Sequence, residues 1–412
     1  MPKSRVLSFY PREFPEAMPN VRTGLDLLVA QNFAPLAGLR VGLVVHPASV
    51  DSQLRHAIEL LAAAPKVKLG AIFGPEHGLL GQAQDLIGVS AEESKRVSTA
   101  VPVHSLYGDS VSSLRPTPAQ LKDLDALVID LQDVGSRYYT FQATMRYCLE
   151  VALPLGLIVF VLDRPNPIAG EVEGPALFKG YESFVGAHNL AIRHGLTIGE
   201  LAMLYERELA LDPGELRVIQ CEGWKRSQYF DQTGLPWVLP SPNMPTLDTA
   251  IVYPGQCLIE GTNLSEGRGT TRPFEICGAP WLDGPKLAHR MNDEKLPGVR
   301  FRPVSFRPTF QKHAGQDCGG VQIHVTDRIN FRPVRTSLAL LAAMREMSGP
   351  KFAWRTEVYE FVRDPIAIDL LFGSDRERKH LEAGKPWRDL QSEWEREEAA
   401  FAHRRHTVFL YD

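Results

Sequence analysis

Cysteine is scarce: Cys148, Cys221, Cys257, Cys277 and Cys318 are the five in 412 residues, and they are scattered. None stands in a C-x-x-C or Cys/His spacing of the kind zinc needs, and an odd, dispersed set is no disulfide framework. They read as buried or free thiols of a reducing compartment. Long hydrophobic runs are missing as well. The longest, "LPLGLIVFVL" (153–162), is too short to cross a bilayer, and the opening "MPKSRVLSFYPREFPEAMPN" lacks the apolar core of a signal peptide. The expectation is a cytoplasmic protein. Charge of one sign is not in excess: 45 Lys and Arg against 49 Asp and Glu give a net charge of −4. That gives no electrostatic reason to expect a nucleic-acid or membrane partner and favours a small soluble ligand. There is no internal repeat, heptad run or low-complexity tract. No G-x-G-x-x-G follows the first apolar run, no G-x-S-x-G elbow occurs, and the phosphate-loop signature is absent, which argues against dinucleotide enzymes, α/β-hydrolases and nucleotide binding. No cofactor and no metal are expected.

What is present is ordinary globular material, 44% hydrophobic and 23% charged, long enough for about two domains. Apolar runs at 39–45, 67–73, 125–131 and 157–163 predict strands. Helical patterns lie between them, as in "SQLRHAIELLAAA" and "FQATMRYCLEVAL". This rhythm is that of an α/β fold with an open parallel sheet covered by helices. Residues 171–256 are more irregular, apart from a helix whose Thr197 and Glu200 have capping-box spacing. From about 257 the chain turns Gly-rich and then offers a strand, "GVQIHVTD", and a helix, "SLALLAAMREM", which predict a second, smaller α+β domain. The boundaries expected are 21–256 and 257–412. The charged stretch 375–405 reads as a solvated helical face.

Ligands of open α/β sheets bind beyond the carboxyl ends of the strands. Each predicted strand here ends in polar, ionisable sequence: "HPASVD" with His46, "GPEHG" with Glu76 and His77, "QDVGSRYYT" with Asp133, Arg137 and Tyr138, and "RPNP" with Arg164 and Asn166. Asp130 and Asp163 lie at the strand ends themselves. Plain structural duties are open to several of these. Asn166 suits a turn, His46 a satisfied core position, and Asp130 and Asp163 the capping of loops. Glu76, between "GP" and "HG", caps nothing obvious and marks where a cleft begins. A second dense segment, "IEGTNLSEGRGTTRPFE" (259–275), offers Glu260, Asn263, Glu266 and Arg268 among glycines that let backbone approach a ligand. "PSPNMPT" (240–246), with Asn243, is a rigid loop of the same sort. Spacing alone supports a cleft hydrolase with carboxylate chemistry.

The strings "FGPEHGLLG", "DLQDVGSRYYT", "VLDRPNP", "HGLTIGELA", "PSPNMPT" and "EGTNLSEGRGTTRPFE" together resemble the exo-acting β-N-acetylmuramidases, from about residue 21 to the C-terminus. The resemblance implies a Rossmann-like N-terminal domain without a nucleotide, a smaller C-terminal domain, and an active site between them. It implies release of N-acetylmuramic acid from the non-reducing ends of peptidoglycan fragments, with a saccharide as the partner. It also places Glu76, beside His77, in the proposed catalytic position. Glycoside hydrolysis needs a protonated carboxyl to assist the leaving oxygen and a second group to stabilise the transition state or activate water. Asp133, Glu260 and Glu266 are candidates for the second group, as is the substrate's own 2-acetamido oxygen. A planar guanidinium suits the lactyl carboxylate that distinguishes N-acetylmuramic acid, and Arg137 and Arg268 are the arginines placed to supply it. Arg164 suits a structural pair. Two rival readings remain: a metal-dependent hydrolase built from His46, His77, Asp130 and Asp163, and a non-catalytic muropeptide-binding protein.

Overall fold

The computed structural model describes residues 21–79, 101–211 and 214–412. Six strands form one parallel sheet: β1 (Arg40–Val45), β2 (Lys68–Gly74), β3 (Val103–Ser105), β4 (Ala126–Asp130), β5 (Ile158–Leu162) and β6 (Glu215–Ile219). Their order is β3-β2-β1-β4-β5-β6, the order of a doubly wound sheet. The four strands expected from the sequence are found within a residue of their predicted ends. The short edge strand β3 and the polar strand β6 had no apolar run to announce them.

Alternation along the strands explains why both faces are covered. Leu43, Ile72, Val128 and Leu162 point to one layer, where they meet Leu25, Leu28 and Leu61. Val44, Phe73, Ile129 and Val161 point to the other, against the helices Phe141–Ala152 and Ile198–Leu209. Because both faces are apolar, the strands read as continuous hydrophobic runs. Thr197 and Glu200 form the expected capping box, with Thr197 Oγ1 accepting from the Glu200 N–H at 3.2 Å and Glu200 Oε2 from the Thr197 N–H at 3.0 Å.

Two expectations are corrected. The helix read over "SQLRHAIELLAAA" is only Ala57–Ala62, since Val50 and His56 pair as a β-bridge and His56 caps the helix through its ring nitrogen. The charged stretch 375–405 is not simply a solvated face. It folds as the helices Arg376–Glu382 and Gln391–Arg405, and it buries Trp394 and Glu377 completely. The Glu377 carboxylate accepts from the Trp394 indole N–H, from Ser374 and from Arg376.

The later part of the chain carries an antiparallel sheet, β7 (Ile276–Ala279), β8 (Val299–Phe306) and β9 (Cys318–Val325), in the order β7-β9-β8. The helix Gly284–Asp293 packs on this sheet, and the helix Pro333–Ser348 packs against that helix and against Leu247–Gln256. The main apolar core is continuous across the two parts: Phe141 and Leu201 belong to the same cluster as Leu258, Leu338 and Leu370.

Candidate active site

Strand β2 delivers Glu76. Pro75 to Gly78 form a tight turn closed by the Gly78 N–H on the Pro75 carbonyl at 3.0 Å. His77 takes a left-handed backbone conformation there (φ 68°). A non-glycine residue in that region costs about 1 kcal/mol or more, strain of the kind that gathers at ligand sites. Glu76 is 4% exposed, and Thr140 Oγ1 donates to its Oε2 at 2.6 Å. Thr140 lies just ahead of the helix Phe141–Ala152, so the loop after β4 fixes the carboxyl that the loop after β2 supplies.

Glu76 and His77 line one cavity together with Tyr138, Asn243, Glu260 and Arg268, and with Tyr139, Ser241, Tyr253, Tyr359 and Glu360. The "GPEHG", "GSRYYT", "PSPNMPT" and "EGTNLSEGRGTT" strings, far apart in the chain, thus meet at one place. The glycines flanking Arg268 are required by close approach. A Cβ on Gly267 would stand 2.4 Å from the Ile276 carbonyl oxygen, and one on Gly269 would stand 2.8 Å from the Phe310 backbone.

The C-terminal wall is a buried charge cluster. Arg268 Nη2 donates to Glu260 Oε1 at 2.7 Å, its Nε lies 3.5 Å from Glu266 Oε1, and its guanidinium lies 5.0 Å from the centre of the Phe274 ring. Lys312 Nζ donates to Glu266 Oε2 at 2.9 Å, and the Tyr359 hydroxyl donates to Glu260 Oε2 at 2.9 Å. Burial works to raise the Glu260 pKa. The charge and hydrogen bond of Arg268, the charge of Lys312 and the Tyr359 hydroxyl outweigh it and hold the carboxyl below its ordinary value. Glu260 is therefore an anion in the cavity wall. Because its pKa is depressed on folding, it contributes stability that is present above the unfolded value, near 4.5, and lost as pH falls through the folded one. Tyr359→Phe removes one donor to the anion, so the variant is expected to lose less stability between pH 7 and pH 3 than the parent, read from denaturant midpoints at each pH. An unchanged pH dependence would show that the hydroxyl does not stabilise the charge.

Other predicted site residues are occupied with one another. Arg137 is fully buried and gives four hydrogen bonds of 2.8 Å to the carbonyls of Pro175, Leu190, Leu371 and Phe372. It ties the loop after β4 to the end of the helix Ala367–Phe372, and this corrects its placement as a ligand group. Asp130 and Arg164 form a buried bidentate pair at 2.5 and 2.8 Å. The Asp163 carboxylate accepts from the Arg164 and Gly199 N–H groups and from the Thr197 and Tyr411 hydroxyls. Asn166 bridges its own turn to the Leu196 carbonyl. His46 accepts from the Gln132 N–H at 3.0 Å through Nε2, with Nδ1 3.4 Å from the Pro240 oxygen. Burial, then the positive charge of Arg164, push its pKa well below the ordinary value, so the ring is neutral. Asp133 accepts from the Gly135 N–H at 2.6 Å and lies 3.2 Å from the His194 ring. The Tyr138 hydroxyl donates to the Pro254 carbonyl, although its ring lines the cavity. Of the three candidates for the second carboxyl, Glu260 alone is among the described residues lining the Glu76 cavity. Asp133 is not among them. Glu266 faces an adjoining space, as does Asn263, whose side chain fastens the backbone at Lys351 and Ala353.

Sequence reasoning missed Thr140, Tyr359, Glu360 and Lys312. Thr140 stood inside a recognised string. Glu360 and Phe361 form a two-residue turn in which both take positive φ (44° and 70°), closed by two backbone hydrogen bonds between Tyr359 and Val362. Neither residue is a Gly, Asn or Asp, so nothing local announced the turn.

The fold and the cavity define a two-part α/β protein with a carboxylate-lined cleft between a parallel sheet and a smaller antiparallel one. Residues 41–248 match the N-terminal region, and residues 251–411 the C-terminal region, of the exo-β-N-acetylmuramidase NamZ family. The chain belongs to this family. It is 43% identical over 396 residues to the peptidoglycan β-N-acetylmuramidase NamZ of Bacillus subtilis, covering 95% of this chain and 92% of that protein. Two crystal structures of DUF1343 family proteins from Bacteroides fragilis share the fold. One has a TM-score of 0.85 at 34% identity, covering 96% of this chain and 100% of the other. The second has a TM-score of 0.73 at 28% identity, covering 95% and 99%.

Proposed function

We propose that the chain is a glycosidase that removes N-acetylmuramic acid from the non-reducing ends of peptidoglycan fragments. The observation that carries this reading is the buried Glu76 at the end of β2, in one cavity with the ionised Glu260 and with Arg268. Glu76 gives its proton to the glycosidic oxygen as the bond from that oxygen to C1 breaks. The fixed negative charge of Glu260 favours the oxocarbenium-like cation that develops at C1; water adds to C1, directly or by opening the ring that the 2-acetamido oxygen forms there, and the proton it sheds restores the Glu76 acid. Hydrolysis of an aryl β-N-acetylmuramide by the purified protein tests the reading, and no release above background would sink it.

The rival metal-dependent reading draws on side chains that are otherwise engaged: Asp130 with Arg164, Asp163 with four donors, and His46 with Gln132. A binding protein would need the same cleft without Glu76, and turnover separates the two. Action in a reducing, cytoplasmic setting is part of the proposal. None of the five cysteines is in a disulfide, and among the described residues no helix is long and apolar enough to cross a membrane.

With Arg137 committed to backbone carbonyls, we assign recognition of the lactyl carboxylate to Arg268, which lines the Glu76 cavity. Arg268→Ala is expected to weaken transition-state binding of N-acetylmuramides by about 2 kcal/mol more than that of N-acetylglucosaminides. Parallel kinetics on the two aryl glycosides read the difference. Equal losses would show that Arg268 acts only through Glu260 and that the lactyl group is recognised elsewhere.

A further inference from the structure

A second cavity of about 520 Å³ adjoins the first, lined among others by Glu260, Asn263, Gln311, Trp354, Arg355 and Glu357. The two spaces share a wall. Glu260 lines both, and its Oε2 is held by Tyr359, which faces the Glu76 cavity. The Arg355 guanidinium lies 4.8 Å from the centre of the Tyr359 ring and faces the larger space. A molecule whose reacting bond lies beside Glu76 and Glu260 thus has the larger space next to it, on the other side of Glu260 and near Tyr359 and Arg355.

We infer that this larger cavity binds the leaving-group half of the saccharide, the pyranoside released when the glycosidic bond breaks. The inference rests on the glycosidase reading above and adds to it a second sugar site. The lining has the chemistry that a pyranoside ring requires. A pyranose presents a face of C–H groups, slightly positive and apolar, that suits the π face of an indole, and a rim of hydroxyls that suits planar amide, guanidinium and carboxylate groups. Trp354 supplies a half-buried indole, and Gln311, Arg355 and Glu357 supply the planar polar groups.

The wall is also built before any ligand arrives. The Asn263 amide donates to the Lys351 carbonyl at 2.8 Å and accepts from the Ala353 N–H at 3.0 Å, fixing the segment that carries Trp354. Thr262 and Trp354 pair as a β-bridge, and the Phe352 ring meets the indole edge to face at 4.8 Å. Lys312 Nζ donates to the carbonyls of Ile259 (3.1 Å) and Leu264 (3.0 Å) as well as to Glu266, which pins the loop carrying Gln311. Side chains held in this way lose little freedom on binding, so their contacts convert more fully into affinity.

The test compares two substrates that share the sugar cleaved and differ in what leaves. One is the β-1,4-linked disaccharide of N-acetylmuramic acid and N-acetylglucosamine. The other is the β-fluoride of N-acetylmuramic acid, whose leaving group is a single atom. For Trp354→Ala the ratio of kcat/KM on the disaccharide to kcat/KM on the fluoride is expected to fall by about tenfold, the scale of a lost aromatic stacking contact. Arg355→Ala should move the same ratio in the same direction, which keeps the inference testable if the tryptophan variant folds poorly. An unchanged ratio in a folded variant, with the parent active on both substrates, would overturn the second site and leave the glycosidase reading standing. A parent protein inactive on both substrates would overturn that reading and the second site with it.

Discussion

Glu76→Gln is expected to lower turnover on a muramyl disaccharide by about 10²-fold or more, with the fold unchanged. Glutamine keeps the length of the side chain, and its amide oxygen still accepts from Thr140 Oγ1, the 2.6 Å bond that fixes Glu76 now. What it lacks is a transferable proton. A 10²-fold loss corresponds to about 2.7 kcal/mol of transition-state stabilisation, within the range of a removed general acid. An aryl glycoside with an acidic phenol as leaving group needs less assistance, so the loss on it should be smaller. The comparison separates proton donation from binding: an equal and small loss on both substrates would show that Glu76 is not the acid. Denaturant midpoints of parent and variant should agree, because the glutamine amide oxygen keeps the bond from Thr140.

Arg137→Ala is expected to act on stability, lowering it by about 4 kcal/mol or more. The guanidinium is fully buried and satisfies four carbonyl oxygens, two of them at the end of the helix Ala367–Phe372. Those two belong to the orphan carbonyls of a helix C-terminus, which no water replaces when the site is closed. Truncation leaves four buried acceptors without donors and opens a void the size of the side chain. Arg137→Lys should recover only part of the loss, since a single ammonium cannot span the fork between Pro175 and Leu190 on one side and Leu371 and Phe372 on the other. Urea midpoints measure both variants. An unshifted midpoint combined with a selective loss on N-acetylmuramides would return Arg137 to the ligand.

The sheet and the position of the cleft were legible in the sequence because they are local consequences of burial. A parallel strand covered on both faces must be apolar along its length, as "ALVI" (126–129) and "LIVFVL" (157–162) are, and the first polar residues after it mark the end where ligands bind. Glu76, His77, Tyr138, Asn243, Glu260 and Arg268 were named on that ground or by resemblance, and they line one cavity. The edge strands β3 and β6 lay beyond this signal, being short or half polar.

What the sequence by itself determined was therefore which segments are strands, where they stop, and that ionisable groups gather at the stops. Only the tertiary structure decided how those groups are shared out. Asp130, Asp163, Arg164 and Arg137 carry the same chemistry in the chain as Glu76 and Arg268, yet each of the four is engaged inside the protein, by partners 34 residues away for the Asp130–Arg164 pair and 234 and 235 away for Arg137 with Leu371 and Phe372. A charged side chain at a strand end lowers its free energy with whatever donor or acceptor the fold brings to it. That partner comes from another element whose approach is set by the packing of the whole core, so it is not written in the residue's own neighbourhood. The same holds for Tyr359 and Glu360, placed in the cavity wall by a strained turn that contains none of the residues turns ordinarily use.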